Sequence, residues 1–134
     1  ADHMKRAKAH MVPLSEAAMR VLAKANVFRQ ADTDVVFPGV SGKPMSDMTL
    51  LKVLRDMAEP YHVHGFRSTF TDWAANEGFA DAVVEAALAH KTPDAVQAAY
   101  RRTTYIGTKE QPGARVTLME EWGLFCAGEA ADTE

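Results

Sequence analysis

The sequence predicts a mainly α-helical fold with a small β element (α+β), and three observations lead there. Five segments carry apolar residues at helical spacing, most of them with a recognisable start or stop, against only two short runs that read as strand. The 134 residues, 47% of them apolar, suit one ordinary domain with a single core. No internal repeat, low-complexity stretch or interior linker divides the chain.

Taken in order, Ala9-His10-Met11-Val12-Pro13-Leu14 reads as a short strand, and Pro13, lacking a backbone donor, places it at an edge or an end. Ser15 can then cap a helix to about Val27, with Glu16 well placed in its first turn. Val35-Val36-Phe37 is expected to form a buried strand closed by the Pro38-Gly39 turn. Ser46 is the expected cap of a second helix, in which Met48, Leu51, Leu54 and Arg55 keep helical spacing up to Glu59-Pro60. Tyr61-His62-Val63 is a brief extended connection. Helices follow from His64 to Glu77, ended by Gly78, and from Asp81 to Ala89. Thr92-Pro93 combines a capping hydroxyl with proline at the first helical position and opens another helix. The last helix covers Ala114 to Cys126. A globular part over 1–127 and an acidic, disordered tail over 128–134 complete the expected layout.

Composition excludes several classes. Cys126 stands alone, so no internal disulfide can form, and a reducing cytoplasm is the expected setting. No apolar run has the length of a membrane span, and the start carries no signal-peptide pattern. The net charge of −3 argues at first against nucleic acid. Five of the acids lie from Glu120 onward, and without them 15 basic residues face 13 acidic ones. Lys5-Arg6-Lys8 and Arg101-Arg102 form local basic clusters, which permit DNA binding without requiring it.

The helix from His64 separates into two faces by counting. Phe66, Phe70, Trp73 and Ala74 make a core stripe, while His64, Arg67, Ser68 and Thr71 line the other side. A His and an Arg beside free backbone N–H groups at a helix start can cradle a phosphate. Read alone, the same face is an ordinary solvated one. His90, followed by Lys91, ends an apolar helix, where a histidine often serves the helix dipole. Tyr100 lies four residues after Val96, a spacing equally suited to a core tyrosine. A second apolar stripe runs through Leu118, Met119, Trp122, Phe125 and Cys126.

In order, His64-Gly65-Phe66-Arg67-Ser68-Thr69, Ala87-Leu88-Ala89-His90 and Ala99-Tyr100-Arg101-Arg102 resemble the signature of the tyrosine recombinases, closest to phage and prophage integrases. Met4-Lys5 with His10-Met11-Val12-Pro13-Leu14-Ser15 resembles that group's lysine-bearing hairpin. Val36-Phe37-Pro38, Gly42-Lys43-Pro44-Met45-Ser46 and Asp72-Trp73-Ala74 add to a likeness running from about residue 4 to about residue 125.

The resemblance implies part of a tyrosine-recombinase catalytic domain that cuts and rejoins DNA through a 3′-phosphotyrosyl intermediate. It implies Tyr100 as nucleophile, His64 as base, Arg67 and His90 on the phosphate, and Lys5 as the acid for the leaving oxygen, with Lys8 the fallback. Arg67, Lys8, Lys91 and Arg101 would contact DNA. No metal or other cofactor is called for. The implied partners are double-stranded DNA attachment sites and further copies of the protein, assembled as a tetramer in which the last helix packs on a neighbour, the alternative being that its stripe folds back on its own domain; no membrane is implied. The implied location is the cytoplasm of a bacterium.

Two departures accompany the likeness. The family's domain starts upstream, with an arginine ahead of the lysine hairpin in which Ala1 already lies. The resemblance therefore implies a carboxy-terminal fragment, inactive alone. The link from Arg102 to the last helix, Thr103 to Gly113, also looks lengthened. Two other readings stay open. One is a non-catalytic DNA- or partner-binding remnant. The other is a metal-dependent hydrolase using His62, His64 and His90 with Asp72 or Asp94.

Overall fold

A computed structural model describes residues 10–29, 33–39, 41–90 and 105–128. Among these residues the architecture is five α-helices: α1 (Glu16–Ala25), α2 (Thr49–Asp56), α3 (Gly65–Asn76), α4 (Asp81–Ala87) and α5 (Ala114–Ala127). A single 3₁₀ turn, Asn26–Phe28, extends α1. The helix expected after Thr92-Pro93 and the tail from Glu129 onward lie outside the described residues.

Helix α5 is the central post. It packs against α1, α3 and α4, and α3 packs against α4. Phe70 and Ala74 from α3, Val83 and Val84 from α4 and Leu118 from α5 form the buried centre. Around it Trp122 meets Phe70 edge-on at 5.2 Å between ring centroids and lies 5.1 Å from Trp73. Phe125 stacks on Trp122 at 5.3 Å and leaves about half its surface in solvent. Part of the apolar stripe of α5 closes on its own domain, where Leu118 is buried and Trp122 packs against the core, while Phe125 and Cys126 are exposed.

Sequence order explains the α1–α5 junction. Ser15 caps α1 as expected, its hydroxyl accepting from Ala18 N–H at 3.2 Å. A second cap comes from far along the chain: both carboxylate oxygens of Glu120 accept from Glu16 N–H at 3.1 Å. The approach depends on Gly123, since a Cβ there would sit 2.3 Å from Ser15 Oγ.

Three expectations need correction. No β-ladder forms among the described residues; the only pairings are isolated bridges, Pro38 with Pro44 and Gly107 with Pro112. Residues 10–14 form no strand: Met11 C=O accepts from Arg115 Nη2 at 2.6 Å, and Pro13 has no N–H to offer. Val35-Val36-Phe37 is not a buried strand. It leads into a tight turn closed by Gly39 N–H to Lys43 C=O at 2.8 Å, and Val36 and Phe37 are exposed. Phe66, assigned to the core stripe, is also exposed, because the core meets α3 only from Phe70 onward.

Two helix ends also moved. Helix α2 starts at Thr49, with Met48 as its cap residue; Ser46 instead closes a preceding turn through its carbonyl to Thr49 N–H at 2.9 Å. Helix α4 stops at Ala87 because Ala89 turns into the left-handed region, at φ 53°. The link before α5 is closed by hydrogen bonds in its described part. Thr108 N–H bonds Gln111 C=O at 2.9 Å and Gly113 N–H bonds Ile106 C=O at 2.7 Å.

Candidate active site

The site is built where α3 begins and α4 ends. His64 is the N-cap residue of α3, and Arg67 follows one turn later on the same side; both side chains are exposed. The N–H groups of this first turn are not free. Gly65, Phe66 and Arg67 donate to the carbonyls of His62, Val63 and His64 at 2.9, 3.2 and 3.1 Å. The expected cradle of open backbone donors is absent here, so side chains must supply the charge for any bound anion.

The end of α4 is held by side chains from two other parts of the chain. Arg67 Nη2 donates to Leu88 C=O at 2.9 Å. The His10 Nε2 lies 3.1 Å from Ala87 C=O, so its ring donates to that carbonyl. Both oxygens belong to the orphan acceptors that every helix leaves at its C-terminus. The Arg67 contact fixes one guanidinium N–H and leaves the rest of the fork, which alone among side chains can grip two phosphate oxygens side by side.

Beyond Leu88 the chain reverses. Ala89 N–H bonds Ala86 C=O at 3.4 Å and His90 N–H bonds Glu85 C=O at 3.1 Å, the paired closure that ends many helices, here with alanine where glycine is usual. This reversal brings His90 back along α4, and its Nδ1 lies 2.8 Å from Glu85 Oε2. Arg67 and His90 therefore belong to one helix end: Arg67 holds the Leu88 carbonyl, two residues before His90. A further strut is Arg115, buried at the start of α5, which holds Met11 and through that segment His10. Burial lowers the pKa of its guanidinium from the ordinary value.

Lys5, Lys8, Lys91, Tyr100 and Arg101 lie outside the described residues, as does Asp94. His62 and Asp72 are exposed, and among the described residues no three His, Cys, Asp or Glu side chains gather in a way that could hold a metal ion. Glu85 and His10 escaped the reading of the sequence. A Glu five residues before a His matches no helical spacing, and only the left-handed Ala89 makes the two meet. His10 is linked to Ala87 across 77 positions, which no local pattern can reveal.

No helix among the described residues is long and apolar enough to cross a membrane. Comparison with known proteins agrees with the order of motifs. The chain is 32% identical over 126 residues to the prophage integrase IntA of Escherichia coli, a match covering 91% of this chain and 29% of that protein. It is 33% identical over 131 residues to the integrase of Enterobacteria phage P4, covering 91% of this chain and 28% of that protein. The chain thus spans less than a third of the length of these relatives. No solved structure matches it. The profile of the phage integrase family covers residues 2–105, which include the α3 and α4 ends that carry Arg67 and His90, and the chain belongs to that family.

Proposed function

We propose that this chain carries strand-cleaving residues of a site-specific recombinase that breaks and rejoins double-stranded DNA through a 3′-phosphotyrosine. The observation that supports this most is the Arg67 guanidinium seated on Leu88 C=O, beside the turn that presents His90. A cation with a planar fork and an imidazole at one helix end suit a phosphodiester whose non-bridging oxygens gain charge in the transition state.

In this reading Tyr100 Oη attacks the phosphorus and the bond to the 5′ oxygen breaks. The phosphate stays on the tyrosine, and the bond energy is kept for rejoining. A phenol with a pKa of about 10 is ionised only to about one part in a thousand at pH 7, so His64 takes its proton. Lys5 gives a proton to the departing 5′ oxygen, with Lys8 the fallback, and Arg67 and His90 hold the phosphate. Lys8, Lys91 and Arg101 steady the DNA backbone. The reaction needs neither metal nor nucleotide. The assembly on DNA is a tetramer in the bacterial cytoplasm. It belongs to a protein of the relatives' length, and the chain alone is expected to be slow by at least the roughly 10²–10³-fold that one lost electrostatic contact costs.

The test is covalent trapping on a nicked duplex whose released 5′ fragment diffuses away, using a protein of family length that contains this sequence. An adduct mapped to Tyr100, lost in Tyr100→Phe with DNA binding kept, is the expected result. An adduct that persists in Tyr100→Phe overturns the reading.

A further inference from the structure

We propose that Glu85 is a positioning residue for His90, setting both the direction of its ring and which ring nitrogen carries the proton. Two bonds tie His90 to the same residue: its N–H to Glu85 C=O at 3.1 Å and its Nδ1 to Glu85 Oε2 at 2.8 Å. A carboxylate only accepts, so Nδ1 is the donor. The neutral ring then bears its hydrogen on Nδ1, and Nε2 carries none. His90 can donate from Nε2 to a phosphate oxygen only when the ring holds both protons, with Glu85 accepting from Nδ1.

The arrangement is specific to this helix end. Glu85 lies in the last turns of α4, and the reversal at Ala89 (φ 53°) returns the chain over it. In an uninterrupted helix, residues five apart point well away from each other. The cation that holds the other side of the turn, Arg67 on Leu88 C=O, keeps the backbone from straightening. Carboxylates that orient an imidazole in this manner are the usual means of fixing its tautomer at reactive sites. The catalytic meaning of this pair rests on the recombinase reading; the pair itself does not.

Nitrogen–proton correlation spectra of the imidazole rings decide the matter on the chain as it stands. The neutral His90 ring is expected to show a protonated Nδ1 and an unprotonated Nε2. In Glu85→Ala the tautomer ratio should shift toward Nε2–H by about tenfold, the strength left to a charge-assisted hydrogen bond at a half-exposed site. Glu85→Gln, which keeps an acceptor without the charge, should fall between. Alanine is the better helix former, so the fold is not at risk, and the unchanged resonances of the core tryptophans provide the check. Nε2–H as the main form in the unsubstituted chain, or no change in Glu85→Ala, overturns the proposal. Adding a short nicked DNA duplex to a protein of family length that contains this sequence separates it from the functional reading. If the tautomer behaves as stated but His90 ignores the duplex, the recombinase reading fails and the Glu85–His90 pairing stands.

Discussion

Ala58, Gly78 and Ala89 occupy the same place in three helix ends, each just past the cap, at φ 58°, 79° and 53°. In all three the following residue bonds back five positions: Glu59 to Leu54, Phe79 to Ala74 and His90 to Glu85, at 2.9, 2.9 and 3.1 Å. Only Gly78 takes this conformation without a clash between Cβ and backbone. Ala89→Gly is therefore expected to raise stability by about 0.5–1 kcal/mol, the left-handed penalty of roughly 1–2 kcal/mol less the added chain entropy of glycine. Gly78→Ala should lower it by a similar amount. Urea unfolding of both variants measures this, and a loss of stability in Ala89→Gly would show that the turn is held by something other than local backbone preference. The alanine at 89 also explains why α4 ends earlier than the sequence suggests. Nothing at that position announces a stop.

The junction of α1 with α5 is decided by one small residue and two caps. Ser15 is buried against Gly123, and Glu120 reaches Glu16 N–H from the facing helix. Gly123→Ala forces the helices apart and is expected to cost about 1–3 kcal/mol, as overpacking does in a tight contact. Glu120→Ala removes a cap and should cost about 0.5–2 kcal/mol. Thermal unfolding of each variant is the measurement; a Gly123→Ala protein as stable as the parent would mean that the two helices do not meet this closely in solution. The role of Ser15 was legible because an N-cap is a local feature, written in adjacent residues. Those of Glu120 and Gly123 were not, since each depends on a partner more than a hundred positions away.

Viewed as one molecule, the domain hangs on α5. Leu118 is fully buried, and Trp122 bridges Phe70, Trp73 and Phe125. Leu118→Ala should cost about 2–5 kcal/mol. Ending the chain at Gly113 should abolish cooperative unfolding altogether, read as loss of the near-ultraviolet tryptophan signal and of a sharp melting transition. A shortened chain that melts near the parent temperature would place α5 outside the core. Helical periodicity made the order of the described helices and most of the core legible, because Phe70, Ala74 and Leu118 each repeat with neighbours on one face. It misassigned Phe66 and the strand at Val35-Val36-Phe37, where apolar character was present without a partner to bury it. The motif order pointed to Arg67 and His90, while the contacts that hold them, from His10, Glu85 and the Leu88 carbonyl, depend on how distant segments close.

Helix α2 packs on none of the other described helices, and Met48, Leu50, Val53 and Met57 are all exposed along it. Eight residues with one Lys52–Asp56 ion pair at 2.5 Å make a marginal helix in water when, among the described residues, no other helix packs on them. Its amide hydrogens should therefore be traded for deuterium through small local openings, at a rate that barely responds to added denaturant. Those of α3 and α5 should wait for the whole domain to unfold and quicken steeply with denaturant. The chain would then show two classes of exchange, divided between 49–57 and the helices around Leu118.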